Sequence, residues 1–182
     1  MFRKLLFIIL FASFSNASVC QTTQIIDKEI GLIRNIPQTK ITKRRTFYSK
    51  GDKHYKAIIK LDTAAIPVLI GLITDKTQTP VIDICSGENL TIGDIAYSIV
   101  AHIIPIPYHI VFGGQWDVIT DCGPDGQGSW SFINDQGTLV KAKLEKFYQS
   151  ETGKKWMILI KSKKLSKAEY DSLIKELFNS YK

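Results

Sequence analysis

A chain of 182 residues, 45% of them hydrophobic, is long enough for one ordinary core and short for two. The 24 basic residues outnumber the 17 acidic ones, giving a net charge of +7, which aids solubility and draws the chain toward acidic partners. The basic runs Lys40, Lys43, Arg44, Arg45 and Lys161, Lys163, Lys164, Lys167 carry no interleaved aromatic residues, so a nucleic-acid-binding motif is excluded from the reading.

Arg3 and Lys4 precede the apolar run Leu5 to Phe14, and small residues follow. This is the layout of a secretory signal peptide over residues 1–20, and it places the mature chain in the periplasm or outside the cell. A bilayer-crossing helix needs roughly 20 apolar residues, and this run is shorter. A lipid anchor on Cys20 is the lesser alternative, since Val19 is bulkier than the small residue that usually precedes a lipidated cysteine, and it is the one route by which a membrane would be involved. Loss of Arg3 and Lys4 with the signal lowers the net charge from +7 to +5. Cys85 and Cys122 then form an even pair in an oxidising compartment, so a disulfide between them is expected.

The first periodic stretch, Ile25, Ile26, Ile30, Ile33 and Ile36, predicts a short helix stopped by Pro37. Gln38 to Lys53 reads as a polar loop. Tyr55, Ile58, Ile59 and Leu61 predict two turns of helix, with a break near residues 62–65 where Asp62 or Thr63 would cap the next helix. In that helix Ile66, Leu69, Ile70 and Ile73 share one side, and Pro67 is tolerated because it sits close to the start. Lys76 to Leu90 reads as a loop pinned by Val81, Ile82 and Ile84. Thr91 and Asp94 then form a capping-box-like start to a helix carrying Ile92, Ile95, Ala96, Ile99, Val100 and Ile103, which Pro105 stops.

The paired stretches AIPVLIGLITDKT and GDIAYSIVAHI resemble the helix pairs of HEAT-type repeats. Ala65, Ile66, Pro67, Leu69, Ile70, Leu72, Asp75 and Ala96 are the matching positions. The connecting stretch is longer than a repeat turn, and no second copy follows. The resemblance implies a non-catalytic packing and binding scaffold and assigns no catalytic residue.

Beyond Ile104, Pro105 and Pro107 force an extended path and Gly113-Gly114 allows a change of direction. The glycine-rich run CGPDGQGSWSFINDQG predicts turns flanking a loop, a brief strand or a small hairpin, with Trp130 and Phe132 alternating with serines. Thr138 starts a helix bearing Val140, Leu144, Phe147 and Tyr148, ended by Gly153. Trp156 to Ile160 is an apolar run whose length fits either a buried strand or a buried helical turn. Ser166 and Glu169 form a second capping box, and Tyr170, Leu173, Ile174, Leu177, Phe178 and Tyr181 make the stripe of a final helix.

The expected architecture is therefore mainly α: a single compact multi-helix domain over residues 21–182 with one HEAT-like helix pair and a Gly-rich loop or small hairpin. His54, His102 and His109 show no metal-ligand spacing, and Asp117, Asp121 and Asp125 are spaced by four rather than by the two of a calcium loop. Neither nucleophile elbow nor phosphate loop is present, and nothing in the chain calls for a cofactor or a metal. The reading favours an exported binding or scaffold protein, an inhibitor, immunity-type or envelope interaction module. It would act on a protein partner, with an acidic one suited to its charge, through the loops around residues 105–137, with Tyr108, Phe112, Trp116 and Trp130 as binding residues. The alternative is a small exported hydrolase using carboxylates or a His-Asp pair near residues 102–125.

Overall fold

Two helix starts with reciprocal side-chain caps, and an isoleucine-rich core from which water is excluded, organise the molecule. The computed structural model describes residues 28, 30–36, 53–82, 87–113, 129–162 and 166–181. Residues 1–20, where the sequence suggests a signal peptide, lie outside them. Over the described residues the chain runs through a 3-10 turn (Leu32–Asn35), helix α1 (Lys53–Lys60), a second 3-10 turn (Asp62–Ala65) and α2 (Ile66–Leu72). Strands β1 (Gln78–Ile82) and β2 (Asn89–Thr91) follow, then α3 (Ile92–Ile103), α4 (Tyr108–Val111), α5 (Ser129–Gln149), α6 (Glu151–Ser162) and α7 (Lys167–Tyr181). The result is a mainly α, multi-helix domain with one small antiparallel hairpin.

Helices α2 and α3 pack directly on each other, and α5 lies across both. Ile58, Ile66, Leu69, Ile73, Ile95, Ile99 and Leu144 are essentially sealed from water between them, each contributing on the order of 2 kcal/mol of hydrophobic stabilisation. Ile30, Ile33 and Ile36 of the first turn join this core. The final helix joins the body through Leu173 and Leu177 and packs on α4 and α6.

The junction of α2 with α3 is tightly packed. Thr91 caps α3: its Oγ1 accepts from the Asp94 amide at 3.2 Å, while the Thr91 amide and hydroxyl both donate to Asp94 Oδ2 at 2.7 Å. The next two amides find backbone partners, Ile92 donating to the Thr77 carbonyl and Gly93 to that of Asp75. All these early donors, which a helix leaves without internal acceptors, are thereby satisfied inside the protein. Gly93 is required for this: a Cβ there would stand 2.3 Å from the Ile73 carbonyl oxygen.

Several expectations are corrected here. Lys76 to Leu90 is not a plain loop, because β1 and β2 pair across it, with Gln78 opposite Thr91 and Ile82 opposite Asn89. Two strands alone are marginal in water; Thr79, Val81 and Leu90 supply the buried face, and Thr79 Oγ1 donates to the Leu90 carbonyl at 2.8 Å. The hairpin thus lies between the paired helices and not around Trp130, whose segment is the first part of α5. That helix begins well before Thr138 and is interrupted at Gln136 (φ −116°, ψ 19°), where the expected start falls close to the bend. Gly153 does not end it: α6 runs through Gly153, whose amide donates to Ser150 Oγ, and Trp156 to Ile160 is helical. Neither Asp62 nor Thr63 caps α2, which grows directly out of the 3-10 turn.

The disulfide expected between Cys85 and Cys122 is not formed, since no two of the three cysteines lie at bonding distance. An even count in an exported chain states that a bond is permitted; a disulfide also needs Cα atoms within about 7 Å of each other. Cys20, Cys85 and Cys122 all lie outside the described residues.

Candidate functional site

Of the binding residues expected from the sequence, Tyr108 and Phe112 lie on and just after α4, the single helical turn that follows the two prolines. Their rings stack at 5.9 Å with 21° between planes, and Tyr97 of α3 meets Tyr108 at 6.2 Å. Phe112 is buried, and its carbonyl accepts from Lys143 Nζ at 3.0 Å. Burial pushes the Tyr97 phenol, and less strongly that of Tyr108, above the ordinary tyrosine value. These aromatics close one end of the core, and Gly113, at φ 73°, turns the chain away from it. Trp116 lies outside the described residues; Trp130 is in α5 with its side chain outside the description.

The histidines of the alternative reading are on the surface. His102 meets Tyr55 edge-on at 5.7 Å, and His109 is exposed on α4. Asp117 and Asp121 fall outside the described residues. Among the described residues, no group of three or more His, Cys, Asp or Glu is placed to hold a metal ion.

A different place combines backbone strain, charge and exposed apolar surface. Where α1 ends, Asp62 takes φ 51°, the one left-handed non-glycine residue among those described. Aspartate tolerates this conformation better than most residues, and here it reverses the chain after the helix. The carboxylate projects to α6 and pairs with Lys161 Nζ. Beside it the Thr63 carbonyl accepts a long bond, 3.4 Å, from Tyr148 Oη of α5.

These contacts frame a cleft of about 400 Å³, open to solvent, between the 3-10 turn and helices α5 and α6. Met157 lines it from the core side. Ile158 stands at its lip with 69% of its surface exposed, the most of any large hydrophobic residue among those described. Lys154 and Lys161 flank Ile158 on the outward face of α6, and Lys154 pairs with Glu151 at 2.7 Å. The arrangement offers an apolar contact bordered by two ammonium groups, a surface suited to holding a side chain and its charged neighbours.

Sequence reasoning missed this cleft because it joins residues 99 positions apart. One signal was present: once residues 151–162 are taken as helical, Ile158 falls on the same face as Lys154 and Lys161, an isolated apolar residue on an otherwise polar side. Compared with known proteins, the chain matches no family model, no curated protein and no solved structure.

Proposed function

We propose that this chain is an exported, non-catalytic binding protein that captures a segment of a partner protein in the cleft between the Asp62–Ala65 turn and α6. The observation that carries the reading is Ile158: a large aliphatic side chain left mostly in water, beside an open cleft of about 400 Å³, between two lysines. Exposed apolar residues rimmed by polar groups mark contact surfaces when they border a concavity. The basic composition adds long-range attraction to acidic partners. Export rests on the Arg3-Lys4 and Leu5–Phe14 layout, and the scaffold role agrees with the HEAT-like character of residues 62–104.

The test is Ile158→Asp in the full chain, compared with wild type by pull-down from the exported fraction of the native cell. The expected result is loss of the captured partner with an unchanged circular dichroism spectrum. Identical capture by the two proteins would overturn the proposal.

A further inference from the structure

Resting on the reading of the cleft as a protein-binding site, we infer that Asp62 is a resident competitor for the partner: its carboxylate occupies the place on Lys161 that a partner carboxylate takes on binding. Lys161 is the anchored member of the pair. Its side chain is 33% exposed, against 60% for Asp62, so the ammonium is held by its stem against the body while the carboxylate sits largely in water. An exposed pair of this kind is worth about 0.2 to 1 kcal/mol. Exchange of one carboxylate for another at the same ammonium therefore costs little and preserves the local charge balance.

The second lysine fixes the form of the partner segment. Lys154 precedes Lys161 by seven residues on one helix face, two turns or about 10 Å, with Ile158 between them. Its own partner, Glu151, has a side chain 90% exposed and is as exchangeable as Asp62. Side chains on one face of an extended peptide recur every second residue, about 6.6 Å apart. The matching segment thus carries acidic residues four positions apart, about 13 Å, with an aliphatic side chain midway on the same face, the apolar group on Ile158 and Met157 and the carboxylates on the two lysines, whose long stems take up the difference in spacing. Discrimination against neutral segments follows, because a glutamine in place of either acid cannot displace Asp62 or Glu151 from its ammonium.

The experiment uses the full chain and a short fluorescein-labelled peptide with two glutamates four positions apart and leucine midway between them, alongside its glutamine counterpart, read by fluorescence anisotropy. Asp62→Asn keeps a residue that accepts the left-handed backbone and removes the competing charge. It is expected to bind the glutamate peptide more tightly than wild type, by about 1.4- to 5-fold, the range set by the strength of an exposed ion pair. Lys161→Met is expected to weaken that binding, and the glutamine peptide is expected to gain nothing from Asp62→Asn. Asp62→Gly, which adopts the same backbone freely, provides the same measurement should the asparagine variant fold poorly. Equal or weaker binding by the Asp62 variants, with Lys161→Met still weakened, would overturn the competitor role and leave the binding site standing. Absence of binding, or binding indifferent to both Lys161→Met and Ile158→Asp, would overturn the site together with the inference.

Discussion

The two ends of helix α2 are held in opposite ways. At its C-terminal end the Asp75 carbonyl accepts from the first turn of α3, the Ile73 carbonyl leaves no room for a side chain on Gly93, and Asp94 is fully buried under Thr91. At its N-terminal end the helix issues from a 3-10 turn with no side-chain cap, behind a left-handed Asp62 whose carboxylate meets Lys161 at the surface. One end is fixed by backbone contacts that nothing outside the fold can replace. The other, beyond the buried Ala65 and Ile66, is tied by a charge pair at the surface, and under the reading proposed above this is where a partner carboxylate acts.

The contrast is broken most severely by Gly93→Ala. A Cβ at 2.3 Å from a carbonyl oxygen forces α2 and α3 apart, and a loss of about 3 kcal/mol or more is expected in urea unfolding. Asp94→Ala comes next, since it strips the Thr91 amide and hydroxyl of their acceptor inside the protein; a loss of about 2 kcal/mol is expected. Alkali tests the body that carries both ends. Burial raises the Tyr181 phenol from its ordinary 10.0 to about 12 and also raises that of Tyr55. Below pH 10 the phenol is neutral in both the folded and unfolded states. Between pH 10 and about 12 the unfolded chain releases a proton that the folded one retains, so stability is expected to fall across that window. The absorbance difference between wild type and Tyr181→Phe should appear together with the change in circular dichroism; ionisation of Tyr181 in a still-folded protein would contradict the burial. The smallest effect belongs to Asp62→Gly. Relief of about 1 kcal/mol of left-handed strain opposes loss of a surface pair worth about as much, so the melting temperature is expected to stay nearly constant. A large drop would show that the Asp62 end is as firmly locked as the Gly93 end.

The elements most visible in the sequence are those that carry their own start signal. Thr91 with Asp94, and Ser166 with Glu169, mark helix starts that the structure reproduces bond for bond. The hairpin escaped notice because its inward positions include a threonine and its centre is a proline. Thr79 is buried only because the Leu90 carbonyl accepts from its hydroxyl, and that partner is eleven residues away. The first turns of α5 were hidden by residues that ordinarily break helices, and the run Trp156 to Ile160 was too short for its period to show. Of the aromatic residues that suggest a binding surface, Phe112 is buried with its carbonyl accepting from Lys143, and Tyr108 is half-buried against Tyr97. The cleft depends on a turn and a helix that meet only after the chain has closed, so local spacing held no direct trace of it. The disulfide reading failed for a related reason, because parity of cysteines carries no distance.

The indole of Trp156 donates to the Pro105 carbonyl at 2.7 Å, reaching from α6 to the chain just after α3. Its ring also lies against Tyr170 of the final helix, 5.8 Å between centres. One fluorophore therefore joins three separate stretches of the chain, and it lies one residue from Met157 of the cleft. Detachment of the final helix would remove the tyrosine, while movement of α6 would release the indole N–H to solvent, so in a chain whose Trp116 and Trp130 are replaced by Phe, emission from the remaining ring distinguishes a peeling terminus from a shift of α6.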